Sequence, residues 1–194
     1  MDLFAGIVGS DGHLSRDRST IFVINKDIQF LKEIVIPLVY TLTGKRVQPK
    51  FVNSGFSDGK YKINVSSKAL WKTLNRRYNI PSGSKSSKIK PPALSNLKEK
   101  TDFMRGWISG DGSVTKDRTR PKIEIWSKSI YILKWMKDVL KKNGIESKIF
   151  EERKKREYIL RIGKKKDVYI FYKKIKIPHP AKQYKLNKLC SKAF

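Results

Sequence analysis

Phe4-Ala5-Gly6-Ile7-Val8-Gly9-Ser10-Asp11-Gly12 returns, 100 positions later, as Met104-Arg105-Gly106-Trp107-Ile108-Ser109-Gly110-Asp111-Gly112. The two stretches share a glycine, two apolar residues, a small residue and a closing Asp-Gly, in one order. The order persists downstream. Phe22-Val23-Ile24-Asn25-Lys26 answers Glu124-Ile125-Trp126-Ser127-Lys128, Tyr61 to Val65 answers Tyr158 to Ile162, and Ile80-Pro81 answers Ile177-Pro178. Self-similarity over this length points to two copies of one supersecondary unit.

Within each copy the periodicity is readable. Ile28, Leu31, Ile34, Val35, Leu38 and Leu42 share one face of a helix over Asp27 to Leu42, and Ile132, Leu133, Met136, Val139 and Leu140 do so over Ser129 to Lys142. Gly44 and Gly144 follow, as glycine often follows a helix. The shorter β-branched and aromatic runs read as strands. Each half is therefore expected to run α-β-β-α-β-β-α, an α+β half-domain. The boundaries expected are an N-terminal half over 1–81, a Ser-, Lys- and Pro-rich linker over 82–100, and a C-terminal half over 101–194.

Charge narrows the partner. Across 194 residues, 44 Lys and Arg stand against 17 Asp and Glu, a net charge of +27. That excess exceeds what solubility asks for and suits a polyanion. The longest apolar runs are too short to span a bilayer, which favours nucleic acid over a membrane partner. One cysteine, Cys190, cannot close an intramolecular disulfide, and the first residues lack a signal-peptide pattern, so an intracellular, unsecreted protein is expected. With two histidines and one cysteine the usual zinc sites are excluded, and a catalytic metal would have to be held by oxygen.

One Asp-Gly is an ordinary turn dipeptide. Here each closes a short helix whose small residues, Gly6 with Ser10 and Gly106 with Gly110, are spaced to lie on one face where two backbones can approach. If the copies pack together, two helix C-termini, each with free carbonyls and partial negative charge, end side by side with Asp11 and Asp111 attached. Like charges so placed repel unless a cation bridges them. Oxygen ligands beside open positions suit Mg2+ and phosphodiester hydrolysis.

Residues 4–12 and 104–112 resemble the paired motifs of the single-chain LAGLIDADG homing endonucleases, and the order of elements in both halves is similar to that fold over nearly the whole chain. Gly9 and Ser109 depart from the motif's first Asp, and Arg105 from its Ala. The resemblance implies two four-stranded antiparallel sheets forming a saddle on double-stranded DNA, the motif helices packed at its centre. It implies a monomer, with no obligate protein partner, that cuts both strands of a long asymmetric duplex target and leaves short 3′ overhangs. Asp11 and Asp111 would hold Mg2+ with the carbonyls of Ser10 and Gly110. Mn2+ would substitute, and Ca2+ would support binding without cleavage. An RNA maturase or a non-catalytic DNA-binding protein on the same scaffold is the alternative.

Supporting catalytic residues expected from the resemblance are Asn25 and Ser127 at the ends of the second strands, and Lys85 and Lys182 beyond the last strands. For DNA contact, strand alternation selects Thr20, Phe22 and Ile24 in one half and Lys122, Glu124 and Trp126 in the other. Arg16, Arg18, Lys116 and Arg118 are expected on the first strands. The later strands offer Gln48, Lys50, Lys60, Lys62 and Asn64, matched by Lys148, Glu152, Arg153, Glu157 and Arg161. Arg and Lys would favour guanine, Asn and Gln adenine, and Glu cytosine.

Overall fold

The computed structural model describes residues 1–53, 55, 58–83, 87–115, 117 and 119–191. Its elements are α1 (Asp2–Asp11), β1 (Gly12–Leu14), β2 (Thr20–Asn25), α2 (residues 28–43), β3 (Lys50–Val52), β4 (Lys60–Ser66) and α3 (Lys68–Arg76). The second half repeats them as α4 (Leu97–Asp111), β5 (Gly112–Val114), β6 (Ile123–Ser127), α5 (Ile130–Lys142), β7 (Lys148–Glu152), β8 (Glu157–Ile162) and α6 (Lys165–Lys174). A further helix, α7 (Pro180–Cys190), follows. The architecture is α+β, with two four-stranded antiparallel sheets ordered β1-β2-β4-β3 and β5-β6-β8-β7. Among the described residues no helix is long and apolar enough to cross a membrane.

Strand alternation sets which face each sheet gives to the helices. Ile21, Val23, Ile63 and Val65 are fully buried in the first sheet, as are Ile123, Ile125, Leu160 and Ile162 in the second. Their neighbours Phe22, Ile24, Lys62, Asn64, Glu124, Trp126 and Arg161 point the other way and keep contact with solvent. Phe22 pairs across with Asn64 and Ile24 with Lys62, while Glu124 pairs with Arg161. One continuous open face per sheet results.

α1 and α4 meet backbone to backbone. A Cβ at Gly6 would stand 1.9 Å from the Phe103 carbonyl oxygen, and one at Gly106 would stand 2.0 Å from that of Leu3. Only hydrogen fits at either crossing point. Phe4, Ala5, Ile7, Val8, Phe103, Met104 and Ile108 are fully buried around this contact, and with the inner faces of both sheets they form one core.

α2 shows how local sequence bends an element. Pro37 has no N–H to continue the ladder, and the turn before it, Leu31–Val35, widens so that the Ile36 N–H bonds to the Leu31 carbonyl. The helix stops at Gly44, whose φ of 68° is left-handed.

The structure departs from the sequence reading in five places. β1 ends at Leu14, so Arg16 and Arg18 lie on the turn of the β1–β2 hairpin, not on the strand. The turn closes early because the Ser15 N–H bonds to Thr20 O, and the Asp17 carboxylate takes up the Ser15 hydroxyl and the Ser19 N–H. Gln48 precedes β3, and Arg153 follows β7 in a turn completed by the left-handed Arg156. α7 was not read from the sequence, although Pro180 in its first turn is a helix-start signal. α4 begins at Leu97, within the stretch read as linker. Lys85, Lys116 and Arg118 lie outside the described residues.

Gly106→Ala is expected to lower stability by about 2 kcal/mol or more, the cost of forcing a tight contact apart. Gly163→Ala, whose Cβ would meet only the Arg161 side chain at 4.0 Å, should stay within about 0.5 kcal/mol of the parent. Equilibrium denaturation of both variants checks the contrast.

Candidate active site

The helix crossing delivers the ends of α1 and α4 to the same place. A Cβ built on Gly110 would fall 2.2 Å from Ser10 Oγ and 2.7 Å from Asp11 Cγ, so the end of α4 rests directly on the acid that ends α1. Asp11 and Asp111 are the last residues of their helices. Ser10 turns its hydroxyl back onto the Gly6 and Ile7 carbonyls, at 3.3 and 3.1 Å. Asp11 and Gly110 line a cleft of about 410 Å³ together with Asn25, Asp27, Lys60, Gly112, Ser113, His179, Lys182 and Lys185.

Asn25 sits at the end of β2, as alternation from Val23 demands. Its Oδ1 accepts from the Asp27 N–H at 2.8 Å, which leaves Nδ2 to donate to Asp11 Oδ2 at 2.6 Å. The amide is thereby oriented by backbone and aimed at the carboxylate. Asp27 in turn caps α2, accepting from the N–H groups of Gln29 and Phe30. The second half keeps part of this arrangement. Ser127 Oγ accepts from the Ser129 N–H at 3.0 Å, as Asn25 does from Asp27, but the side chain is short and buried.

Lys182 reaches in from α7. Its Nζ donates to the last carbonyls of α4: Ile108 at 3.2 Å, Ser109 at 2.7 Å and Gly110 at 2.5 Å. A cation at a helix C-terminus neutralises carbonyls that would otherwise lack partners. Burial lowers the Lys182 ammonium to about 8, against the pull of Asp11 and Asp111, which favour its charged form. Lys182 thus bridges the end of one motif helix to the charge of both acids.

α7 is held by His179, which the sequence reading did not single out. The ring stacks on Phe30 of α2 at 4.5 Å and 8°, and Nε2 stands 3.6 Å from Asp27 Oδ2. A residue from the end of the chain therefore anchors on the helix that Asp27 caps. The available signal was His179-Pro180, an N-cap followed by a helix-initiating proline.

On the first sheet's open face, Lys50, Lys60 and Lys62 are grouped, with Lys62 Nζ 4.1 Å from the Phe22 ring centroid. On the second, Glu124 is held by Arg161 at 2.8 Å and by Lys122 at 3.5 Å, and Arg161 lies 4.6 Å over Phe150. Lys155 stands over Trp126 at 5.2 Å. Thr20, Ile24 and Asn64 share the first face with Phe22, while Lys148, Glu152 and Glu157 share the second with Trp126.

Residues 98–176 match the family profile of the LAGLIDADG-like domain. The match covers 79 of the chain's 194 residues, all in the second half. The chain is similar to the homing endonuclease I-ApeI of Aeropyrum pernix, 24% identical over 188 residues that span 92% of this chain and 82% of the relative. The fold is similar to that of I-DmoI in complex with DNA and Ca, with a TM-score of 0.62 and 19% identity, covering 90% of this chain and 87% of the other. It is also similar to full-length DUF199/WhiA from Thermatoga maritima, with a TM-score of 0.66 and 17% identity, covering all of this chain and 61% of that protein.

Burial, with the Lys182 charge, pushes His179 down to about 4, although Asp27 pulls the other way. An unfolded histidine titrates near 6.5. As pH falls below about 6.5 the unfolded chain takes up a proton that the folded chain refuses until about 4, so stability present above that window is lost across it. The loss from this residue is on the order of 2–3 kcal/mol. Relative to wild type, His179→Phe should lack this component of the pH dependence of unfolding. A constant difference between the two proteins across the window would contradict the assignment.

Proposed function

We propose that this protein is a homing-type endonuclease that binds a long, asymmetric DNA duplex on its two sheets and hydrolyses one phosphodiester in each strand at the α1–α4 helix ends, leaving short 3′ overhangs. The observation that carries the reading is the pair of carboxylates, Asp11 and Asp111, brought to abutting helix ends by the Gly6–Gly106 crossing, with a lysine-bearing open face on the first sheet and one of mixed charge on the second. Both acids belong to one chain, so a monomer suffices.

The donor set fits a hard divalent cation. Asp11 and Asp111 offer carboxylate oxygens, and the helix ends add backbone carbonyls, including that of Ser10. Among the described residues no group of three or more His, Cys, Asp and Glu could hold an ion unaided. Coordination completed by phosphate oxygens and water is what Mg2+ favours. I-DmoI is known in complex with DNA and Ca, and with DNA and Mn; the reading here is Mg2+ with Mn2+ as substitute and Ca2+ supporting binding alone. When bound, the cation supplies charge stabilisation at the scissile phosphate. The chain's own residues prepare that position: Asn25 fixes the Asp11 carboxylate, and the Lys182 ammonium sets positive charge beside both acids, where the reacting phosphate gains negative charge. Lys85 is proposed as the counterpart of Lys182, and Ser127 as that of Asn25.

The two sheets would read DNA differently. Lys50, Lys60 and Lys62 suit phosphate and guanine acceptors, while Glu124 with Arg161 suits a cytosine amino group beside a guanine. A second reading, a DNA-binding protein that does not cut, is favoured by the Lys182 ammonium already resting on the Gly110 carbonyl, one of the proposed metal ligands.

Incubation with a randomised duplex library separates the two. With Mg2+ a discrete set of sequences should be cleaved, and with EDTA none. Asp11→Asn and Asp111→Asn should each reduce double-strand cutting at least about 100-fold while leaving binding in Ca2+ intact. Full cutting by either variant removes that residue from the mechanism, and binding without cutting by wild type selects the second reading.

A further inference from the structure

A second cleft, of about 460 Å³, opens where the β1–β2 hairpin meets α3 and is lined by Arg18, Lys68, Trp71, Lys72, Asn75, Arg76 and Ser82. Arg18, Lys68, Lys72 and Arg76 are exposed, and none makes an ion pair among the described residues. Lys68, Lys72 and Arg76 follow one another at four-residue spacing, on a single face of α3. The hairpin's one acid, Asp17, spends its carboxylate on the Ser15 hydroxyl and the Ser19 N–H and does not line the cleft.

The walls are fixed. Trp71 Nε1 donates to the Ser15 carbonyl at 3.0 Å, the Ser67 N–H donates to Ser19 O at 2.9 Å, and Gly83 N–H donates to Leu14 O at 3.0 Å. Arg18 is carried in a left-handed conformation, φ 60°, at the hairpin tip. Four cations held around a concavity without a carboxylate repel one another, and an anion seated there relieves the repulsion. At the offset that aligns Tyr61 with Tyr158, the pseudo-symmetric helix α6 has Lys165 and Lys173 where α3 has Lys68 and Arg76, but Tyr169 and Tyr172 where α3 has Lys72 and Asn75. The stripe is therefore repeated in part, and of its three cations only Lys72 lacks a basic counterpart in the second half.

We propose that the α3–hairpin cleft binds phosphodiester groups of the DNA backbone where the duplex leaves the first sheet, extending the contact beyond the sheet face. The cleft adjoins the strand ends at Thr20 and Ser66, which pair with each other and lie on the same face as Phe22 and Asn64. Arg18, on the hairpin tip two residues before Thr20, and Lys68, two residues after Ser66, both line the cleft at that end of the sheet. The inference rests on the DNA-binding reading above, and it assigns to α3 a role in affinity and not in base selection.

The salt dependence of binding tests it, because each phosphate contact contributes about 0.9 to the slope of log affinity against log salt. The probe is an arbitrary duplex of about 40 base pairs, with a hairpin RNA as a second arm. The variant is Lys68→Gln/Lys72→Gln/Arg76→Gln, and Lys134→Gln/Lys141→Gln/Lys142→Gln on α5 is the charge-matched control. The α3 variant should flatten the DNA slope by at least about one unit relative to the control and still cut DNA wherever wild type does. An equal slope in the two variants overturns the proposal, as does a loss confined to RNA. Failure of wild type to bind or cut duplex counts instead against the endonuclease reading.

Discussion

The contact between Gly6 and Gly106 is the constraint on which the rest depends. Each residue lies against a backbone carbonyl of the opposite helix at a distance no side chain could occupy, so the two helices are locked in axial position as well as in direction. Because Asp11 is five residues beyond Gly6 and Asp111 five beyond Gly106, that lock also places the two acids. Each sheet is attached directly to its helix, since β1 and β5 begin at the glycine after the acid. One crossing point thereby sets the separation of the acids and the placement of the faces on either side of them.

Bringing two helix C-termini and two carboxylates together has an electrostatic cost that the structure answers unevenly. At the end of α1, Asn25 donates to Asp11 and is itself oriented by the backbone. At the end of α4, Lys182 covers three carbonyls, and the seryl group standing in for Asn25 is turned to the backbone of Ser129. Lys182 is brought there by α7, which touches the N-terminal half through His179 on Phe30 and Asp27. The pseudo-twofold repeat is thus broken where the chemistry would occur, and the two strands of a bound duplex would meet different surroundings.

Much of this was legible in the sequence because it follows from short-range periodicity. The repeated glycines, the alternation through Ile21, Val23, Ile123 and Ile125, and the apolar faces of α2 and α5 each state their role within a few residues. The places where reading failed depend on side chains that act over distance or within turns. Ser15 and Asp17 close the β1–β2 hairpin early and move Arg16 and Arg18 off the strand, and no period signals that closure. α7 has a weakly amphipathic sequence, with Leu186, Leu189 and Cys190 buried among lysines, so composition hid it. Lys182 was legible as a candidate from its place after the last strand, but its carbonyl partners, 72 to 74 residues away, were not. His179 was unremarked for the same reason.

The account stands on Asp11 and Asp111 forming one metal-dependent centre at the helix crossing. Anomalous diffraction from Mn2+ in crystals of the protein bound to a duplex that it cuts observes that centre without relying on a variant. The account predicts anomalous density within coordination distance of the Asp11 and Asp111 carboxylates and of the phosphates at the cut positions. Ordered Mn2+ at the cut phosphates with neither carboxylate as a ligand would contradict it.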